Sequence, residues 1–480
     1  MKNLIFTITV LLFATACSDI LEENPKAVAL ETFYNTADEI QSAVYAIYNP
    51  IRTAVGTNGG TWVVNASQVD YAVGRLSYVN MSDFQVLSST NISRTDAIWT
   101  YLYQAIRNAN LVIKNAPKSS KATQDQINQF VAEAKFLRAF CYFYMVRNWA
   151  GLPIRTEDNM TVPDVARSTE DVVYALILSD LEYAETNLPE SQSQVGRANK
   201  YAAKAVLTHV YLQIGRWSDA RTKALEIINS GKFSLIKVSI PNDFYKIFGP
   251  DVISSLEEIF YLKYNSVSGN YIARFSHHPS HPEYYNSTGV YALYADSVSN
   301  KFISDWDYKD LRKKFTLYNC NIGFGPTTML FKKFIDPTST DQQCKNDWPA
   351  YRYPDILLFY AEADCMVNNG PTVDGMGKLN MIHRRAYGMD PTVASSIDFN
   401  AANYTKDTFL NLVLKEKGYE QMDEGKRYFE LKRTGKLKEA VKYARGVDVV
   451  DAALLWPIPS VEYNYNKAID PVKDQNPGYK

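Results

Sequence analysis

Along most of the 480-residue chain, apolar residues recur every three or four positions, the spacing of amphipathic helices. Over residues 123–150 they fall at Ile127, Phe130, Val131, Ala134, Leu137, Cys141 and Tyr144, and a second stripe runs through Phe136, Phe140 and Phe143. Two apolar stripes on one helix predict burial between neighbours on both sides. Thr123 and Gln126 stand where a capping box would start it, side chain and backbone each satisfying the other's free N–H. Similar patterns over 99–115, 169–188, 350–369 and 405–445 predict a mainly α protein, with Trp99 on a core-facing side. The helical blocks lie near 99–149, 169–231, 350–386 and 405–445. Residues 51–98 and 264–349 break the pattern and are expected to be long irregular loops with few short strands.

Residues 199–232 predict a helix pair, with Gly215 ending one helix and Gly231 the next. Tyr211, Gly215, Trp217 and Ala220 keep the order of aromatic, turn glycine, aromatic and small packing residue, and the unit resembles a tetratricopeptide repeat. Such a pair cannot cover its own apolar face, so further pairs must stack on it into a superhelical scaffold.

The N-terminus has a different character. Lys2 precedes an apolar run from Leu4 to Phe13, followed by the small residues Ala14, Thr15 and Ala16 and then Cys17. The run suits a signal peptide and is too short for a membrane span. With the cysteine at the cleavage point it resembles a bacterial lipobox, which makes residues 1–16 the signal peptide, Cys17 the lipidated first residue and 17–30 a tether. Several acyl chains, at roughly 0.8 kcal/mol per buried methylene, would anchor the body (31–480) without spanning the bilayer. Of the other cysteines, Cys141 and Cys365 lie in apolar helical patterns and read as buried thiols. Cys320 and Cys344, in loop-like sequence of an exported chain, are a candidate disulfide.

A formal net charge of -1 and a pI near 6.6 give no global attraction to nucleic acid or an anionic bilayer. Recognition should therefore be local, and the 34 tyrosines offer material for it. No HExxH, GxSxG, P-loop or dinucleotide motif is present, so neither catalysis nor a cofactor is expected. His277, His278 and His281 are interrupted by Pro279 and Pro282 with no cysteine or carboxylate set beside them, and metal binding is not expected.

Five ordered segments carry a more specific resemblance. EAKFLRAFCYFYMVRNWAGLPI (133–154), YRYPDILLFYAEA (351–363), LNMIHRRA (379–386), DEGKRYFELKRTG (423–435) and LLWPIPSVEYNYN through QNPGY (454–479) resemble, in order, blocks of the SusD/RagB nutrient-binding lipoproteins. Arg138, Glu424 and Arg427 within these blocks are expected to tie helices together. One departure, EKGYEQ (416–421), places Gly418 inside a helix at a cost of about 1 kcal/mol relative to alanine.

The resemblance implies a SusD-like fold, with tetratricopeptide-like helix pairs on one side and ligand loops on the other. It also implies an outer-membrane, outward-facing location and a SusC-like TonB-dependent transporter as partner, to which a captured glycan is delivered. Asp19, Glu22 and Glu23 after Cys17 resemble the surface-export signals of such lipoproteins. Alternative readings are a peptide-binding RagB-like member and, in a different class, a tetratricopeptide-type adaptor that binds protein on its concave helical face. A glycan site needs flat aromatic faces edged by polar groups. The loop regions offer Trp62, Tyr71, Arg75, Tyr78 and Asn80 from the first, and Tyr271, His277, Tyr284 and Tyr285 from the second, with Asp83, Arg274 and Asn286 alongside.

Overall fold

The computed structural model describes residues 33–479 apart from Asn58. Cys17, with the signal peptide and tether around it, lies outside the described residues.

The first described helix, α1 (Ala37–Gly56), starts on a capping box in which the Thr36 N–H donates to Glu39 at 2.7 Å and the Glu39 N–H donates to the Thr36 hydroxyl at 3.3 Å. Pro50 lies inside α1 and has no N–H for the carbonyl of Ala46. Asn108 of α3 (Ser89–Asn115) fills that gap, its Nδ2 donating to Ala46 O at 2.9 Å. A short helix, α2 (Thr61–Ser67), intervenes and is buried along its whole length.

α3 packs on α4 (Gln124–Trp149), α4 on α5 (Glu170–Asn187), α5 on α6 (Lys200–Gln213), α6 on α7 (Trp217–Asn229) and α7 on α8 (Tyr353–Asn368), with α9 (Val373–Ala386) and α10 (Lys406–Glu420) against α8. The turn between α6 and α7 follows the predicted tetratricopeptide-like geometry. Gly215 takes φ 75°, the Arg216 N–H reaches Tyr211 O at 2.8 Å and the Gly215 N–H reaches Leu212 O at 3.4 Å, the two bonds of a glycine-closed helix end. The two-sided burial expected for α4 holds from Phe130 onward. Trp99 is buried edge-on to Trp149, 5.3 Å between centroids.

Of the two long-loop expectations, the first needs correction, while the second region is irregular with a few short strands, as expected. Within 51–98, residues 51–56 finish α1, 61–67 form α2 and 89–98 begin α3. Residues 264–349 contain most of a four-stranded antiparallel sheet in the order β1 (Val73–Gly74), β3 (Leu293–Asp296), β5 (Thr328–Phe331), β4 (Leu317–Asn319). A second, two-stranded sheet pairs β2 (Glu258–Leu262) with β6 (Trp348–Arg352). The runs are too short for a strand periodicity to show in sequence.

The sequence blocks converge on a buried web of ion pairs. Arg352, at the end of β6, reaches Glu420 and Glu424, both at 2.6 Å, and Arg385 of α9 pairs with Glu257 and Glu420. Glu424 also receives Lys333 at 2.9 Å. Beside this web, Lys417 bridges Glu362 (2.7 Å) and Glu430 (2.6 Å), with Arg433 of α11 (Arg427–Arg433) on the same two acids. Arg138 reaches Asp180 at 2.7 Å and Arg427 reaches Asp70 at 2.6 Å. Arg138, Glu424 and Arg427 thus tie elements together, as expected. Removing one member of such a buried pair strands a charge, at about 3–5 kcal/mol.

Cys320 and Cys344, the expected disulfide, are two free buried thiols. Cys344 is held by Asn270, through backbone bonds in both directions and an Sγ contact of 3.0 Å to its side chain, whereas Cys320 packs with Tyr318 and Leu330. Cys141 and Cys365 are also buried free thiols. Burial pushes the Cys365 thiol up to about 11.

Candidate functional site

The sheet edge β1–β3 joins the two regions between the helices. Val73 pairs with Tyr294 and Gly74 with Leu293, and the Arg75 N–H then donates to Ala292 O at 2.7 Å. On β3 the side chains alternate, so that Leu293 and Ala295 are buried while Tyr294 and Asp296 face outward.

The segment ahead of β3 doubles back on itself. Val290 N–H donates to Arg274 O at 2.7 Å and Ala292 N–H to Phe275 O at 2.9 Å, closing the loop 277–289. Gly289 passes so near the chain that a Cβ there would meet His277 O at 2.0 Å. Tyr291, just beyond, has φ 37°, a conformation that bulky residues rarely adopt. Arg75 holds it there, with Nη1 donating to Tyr291 O at 3.0 Å and the guanidinium 4.2 Å above the ring.

A third piece comes from the turn between β4 and β5. Gly323 and Gly325 take φ of 98° and 102° around Phe324, and both donate their N–H to Asn321 Oδ1, at 2.9 and 3.1 Å. Phe324 is 55 % exposed at the tip, 5.0 Å from the Tyr294 ring and 5.8 Å from the Arg75 guanidinium. His278 lies 4.5 Å from the Tyr291 ring, and Tyr284 stacks against His281 at 5.7 Å with Tyr318 beneath at 4.9 Å. Tyr291, Tyr294 and Phe324 are thus partly exposed aromatics grouped around Arg75, and Tyr284 packs on the same Tyr318–Leu330 base as Tyr291 and Tyr294. Aromatic faces edged by a guanidinium suit a ligand with apolar C–H faces and polar rims.

Of the nine residues expected at a ligand site, Arg75, Asn80, Tyr271 and Tyr284 are accessible, and five are core side chains. Trp62 is 1 % exposed, its Nε1–H donating to Asp423 O at 2.8 Å and its ring against Phe334. The buried Tyr71 hydroxyl accepts the Asp423 N–H at 3.0 Å. Tyr78 lies under the Arg94 guanidinium, 4.1 Å away, and Tyr285 stacks on His277. His277 is fully buried with Nε2 on Phe334 O at 2.8 Å, and burial pushes it down to about 4. These rings present no face to a ligand; they hold the base on which the outer aromatics stand. Sequence reasoning missed Tyr291, Tyr294 and Phe324, although an aromatic between two glycines, in Gly323-Phe324-Gly325, was a usable signal.

The histidines do not converge. His278 Nδ1 lies 2.7 Å from Ser280 Oγ and His281 Nδ1 lies 2.9 Å from Glu283. Among the described residues no group of three or more His, Cys, Asp or Glu is arranged to hold a metal ion, and no helix is long and apolar enough to cross a membrane.

Two family profiles match the sequence, one described as "Starch-binding associating with outer membrane" over residues 19–212 and one as "SusD family" over residues 281–479. The chain belongs to the SusD/RagB family. SusD-like protein P25 of Formosa agariphila is 23% identical across 100% of this chain and 99% of its own length. A SusD homologue from Bacteroides thetaiotaomicron superposes with a TM-score of 0.79 at 19% identity, over 94% of this chain and 98% of that one. A laminarin-binding SusD-like protein superposes with a TM-score of 0.73 at 21% identity, over 93% and 100%. The described helices and short strands thus form a SusD-like fold.

Proposed function

We propose that this SusD-like protein is a non-catalytic surface lipoprotein that captures a nutrient glycan and passes it to a SusC-like TonB-dependent barrel. The observation that carries the reading is the group of partly exposed aromatics Tyr291, Tyr294 and Phe324 around Arg75, with Tyr284 on the same Tyr318–Leu330 base. The laminarin-binding neighbour of the same fold supports a glycan as ligand, and the family's association with the outer membrane supports the location. Cys17 would carry the lipid, residues 17–30 would serve as tether, and the helical side would be left for the transporter.

Isothermal titration of the mature chain against plant, host and microbial polysaccharides and a peptide mixture tests this. One glycan class should bind, and Tyr291→Ala or Phe324→Ala should each weaken it roughly tenfold with the melting temperature little changed. Trp62→Ala and Tyr285→Ala should instead lower the melting temperature, because both rings are core. Peptide heat without glycan heat would place the protein with the RagB-like members.

A further inference from the structure

Arg75, Arg274 and Lys332 differ from the arginines and lysines of the buried web. Among the described residues none of the three has a carboxylate within 4 Å, whereas Arg138, Arg312, Arg352, Arg385, Lys333 and Lys417 are each paired. Arg75 spends one nitrogen on Tyr291 O and rests on that ring. Arg274 holds its Nε out of water with no partner, and its guanidinium lies 5.9 Å from the Tyr271 ring. The Lys332 ammonium lies 5.4 Å from the Tyr284 ring, and burial pushes its pKa below the usual lysine range. Cations kept partly dry without a counter-charge are costly, and the cost is recovered when an anion arrives.

The acids of this face are already engaged. Glu283 pairs with His281 at 2.9 Å and Asp83 with Arg445 at 2.9 Å, while Asp296 accepts the N–H groups of Val298 (2.9 Å) and Ser299 (2.7 Å). Among the described residues Asp296 has no cation within 4 Å either, so the face carries both signs; Arg75 and Lys332 are the cations on it that lie against aromatic rings without a carboxylate. A guanidinium fork such as that of Arg75 matches carboxylate and sulfate oxygens, and the aromatic rings beside it match sugar C–H faces.

We infer that the glycan bound on this surface is anionic, carrying carboxylate or sulfate groups that Arg75 and Lys332 receive while Tyr284, Tyr291 and Phe324 stack on the sugar rings. This inference rests on the glycan reading above and narrows it to a substrate class.

The test is titration of the mature chain with matched pairs: polygalacturonate against its carboxyl-reduced form, a sulfated galactan against its desulfated form, laminarin as a neutral glucan and polyglutamate as a non-sugar polyanion. One anionic polysaccharide should bind at least about tenfold tighter than its neutral match, and should weaken by a similar factor in about 0.5 M NaCl, as a screened charge contact must. Which pair responds separates carboxylate from sulfate. Lys332→Gln should weaken that anionic glycan several-fold with no loss of melting temperature. Equal affinity within both pairs, or laminarin binding that ignores salt and is lost in Tyr291→Ala, would overturn the inference and leave the glycan reading standing. Polyglutamate binding as tightly as the sugars would overturn it as a statement about glycans. Binding of no polysaccharide at all would remove both readings together.

Discussion

Asp423 has a left-handed backbone, φ 65°, and is clamped on both sides by residues whose types suggested ligand contact. Trp62 donates to its carbonyl and Tyr71 accepts its N–H. Its carboxylate is buried with Ser276 Oγ at the edge of hydrogen-bond range, 3.5 Å, and the nearest ammonium, Lys333, is committed to Glu424. Burial pushes the carboxyl up to about 7. A raised acid holds in the folded state a proton that the unfolded chain has lost. Stability therefore falls as pH rises from about 4 to about 7, by about 1.4 kcal/mol per unit at most. Asp423→Asn keeps the shape, tolerates the left-handed backbone and removes the slope. In urea unfolding the variant should gain on the parent between about pH 4 and about pH 7; an unchanged difference would mean that Asp423 is ionised throughout. The same contacts show why these aromatics were misjudged. Residue type was legible, but Trp62 and Tyr71 are buried by a turn more than 350 positions later, and no local pattern encodes that.

Gly418 shows the opposite relation between local rule and tertiary result. Inside a helix a glycine costs about 1 kcal/mol relative to alanine, yet here, in the last turn of α10, a Cβ would stand 2.6 Å from Phe302 Cζ and 2.9 Å from Arg427 Nη1. Arg427 needs that space, because it crosses the helix to donate to Leu414 O while holding Asp70. Gly418→Ala should therefore destabilise the protein by about 1–3 kcal/mol despite its better helix propensity, read as a lower urea midpoint at unchanged helical content. A higher midpoint would show that the crowding relaxes freely. At this scale much was readable: the Thr123–Gln126 box, the Gly215 turn and the blocks around Arg138, Glu424 and Arg427 appear where their spacing placed them. One missed element was α1, whose capping box at Thr36 and Glu39 was present but whose interior Pro50 argues against a helix. A side chain from α3 repairs that break, which a reading of either segment alone cannot reveal.

At the scale of the whole molecule the buried web joins the parts. Lys333 lies two residues beyond β5 and next to Phe334, whose carbonyl holds His277; its ammonium binds Glu424, which Arg352 links to β6 and Glu420 to α10. The aromatic surface is thus bolted to the helices through carboxylates that must stay ionised. Burial alone would raise these acids, but the cations outweigh it: Arg312 and His383 bring Glu416 to about 2, and Arg352, Lys333 and Lys426 bring Glu424 to about 2. Glu420, facing Arg385, Arg352 and Arg312, is held well below the usual carboxylate range. A depressed acid contributes stability that is present above its unfolded pKa and is lost as pH falls toward the folded value. The web should therefore give way between about pH 4.5 and about pH 2, a window that lies almost wholly below the one in which Asp423 titrates. Glu424→Gln would strand Lys333 and take one of the acids from Arg352, lowering stability at neutral pH by about 3–5 kcal/mol and making the acid slope shallower by about one proton. Denaturant unfolding across that window measures both. A variant as stable as the parent at neutral pH, or with the same acid slope, would mean that the sheet and helices are held together chiefly by apolar packing rather than by these charges.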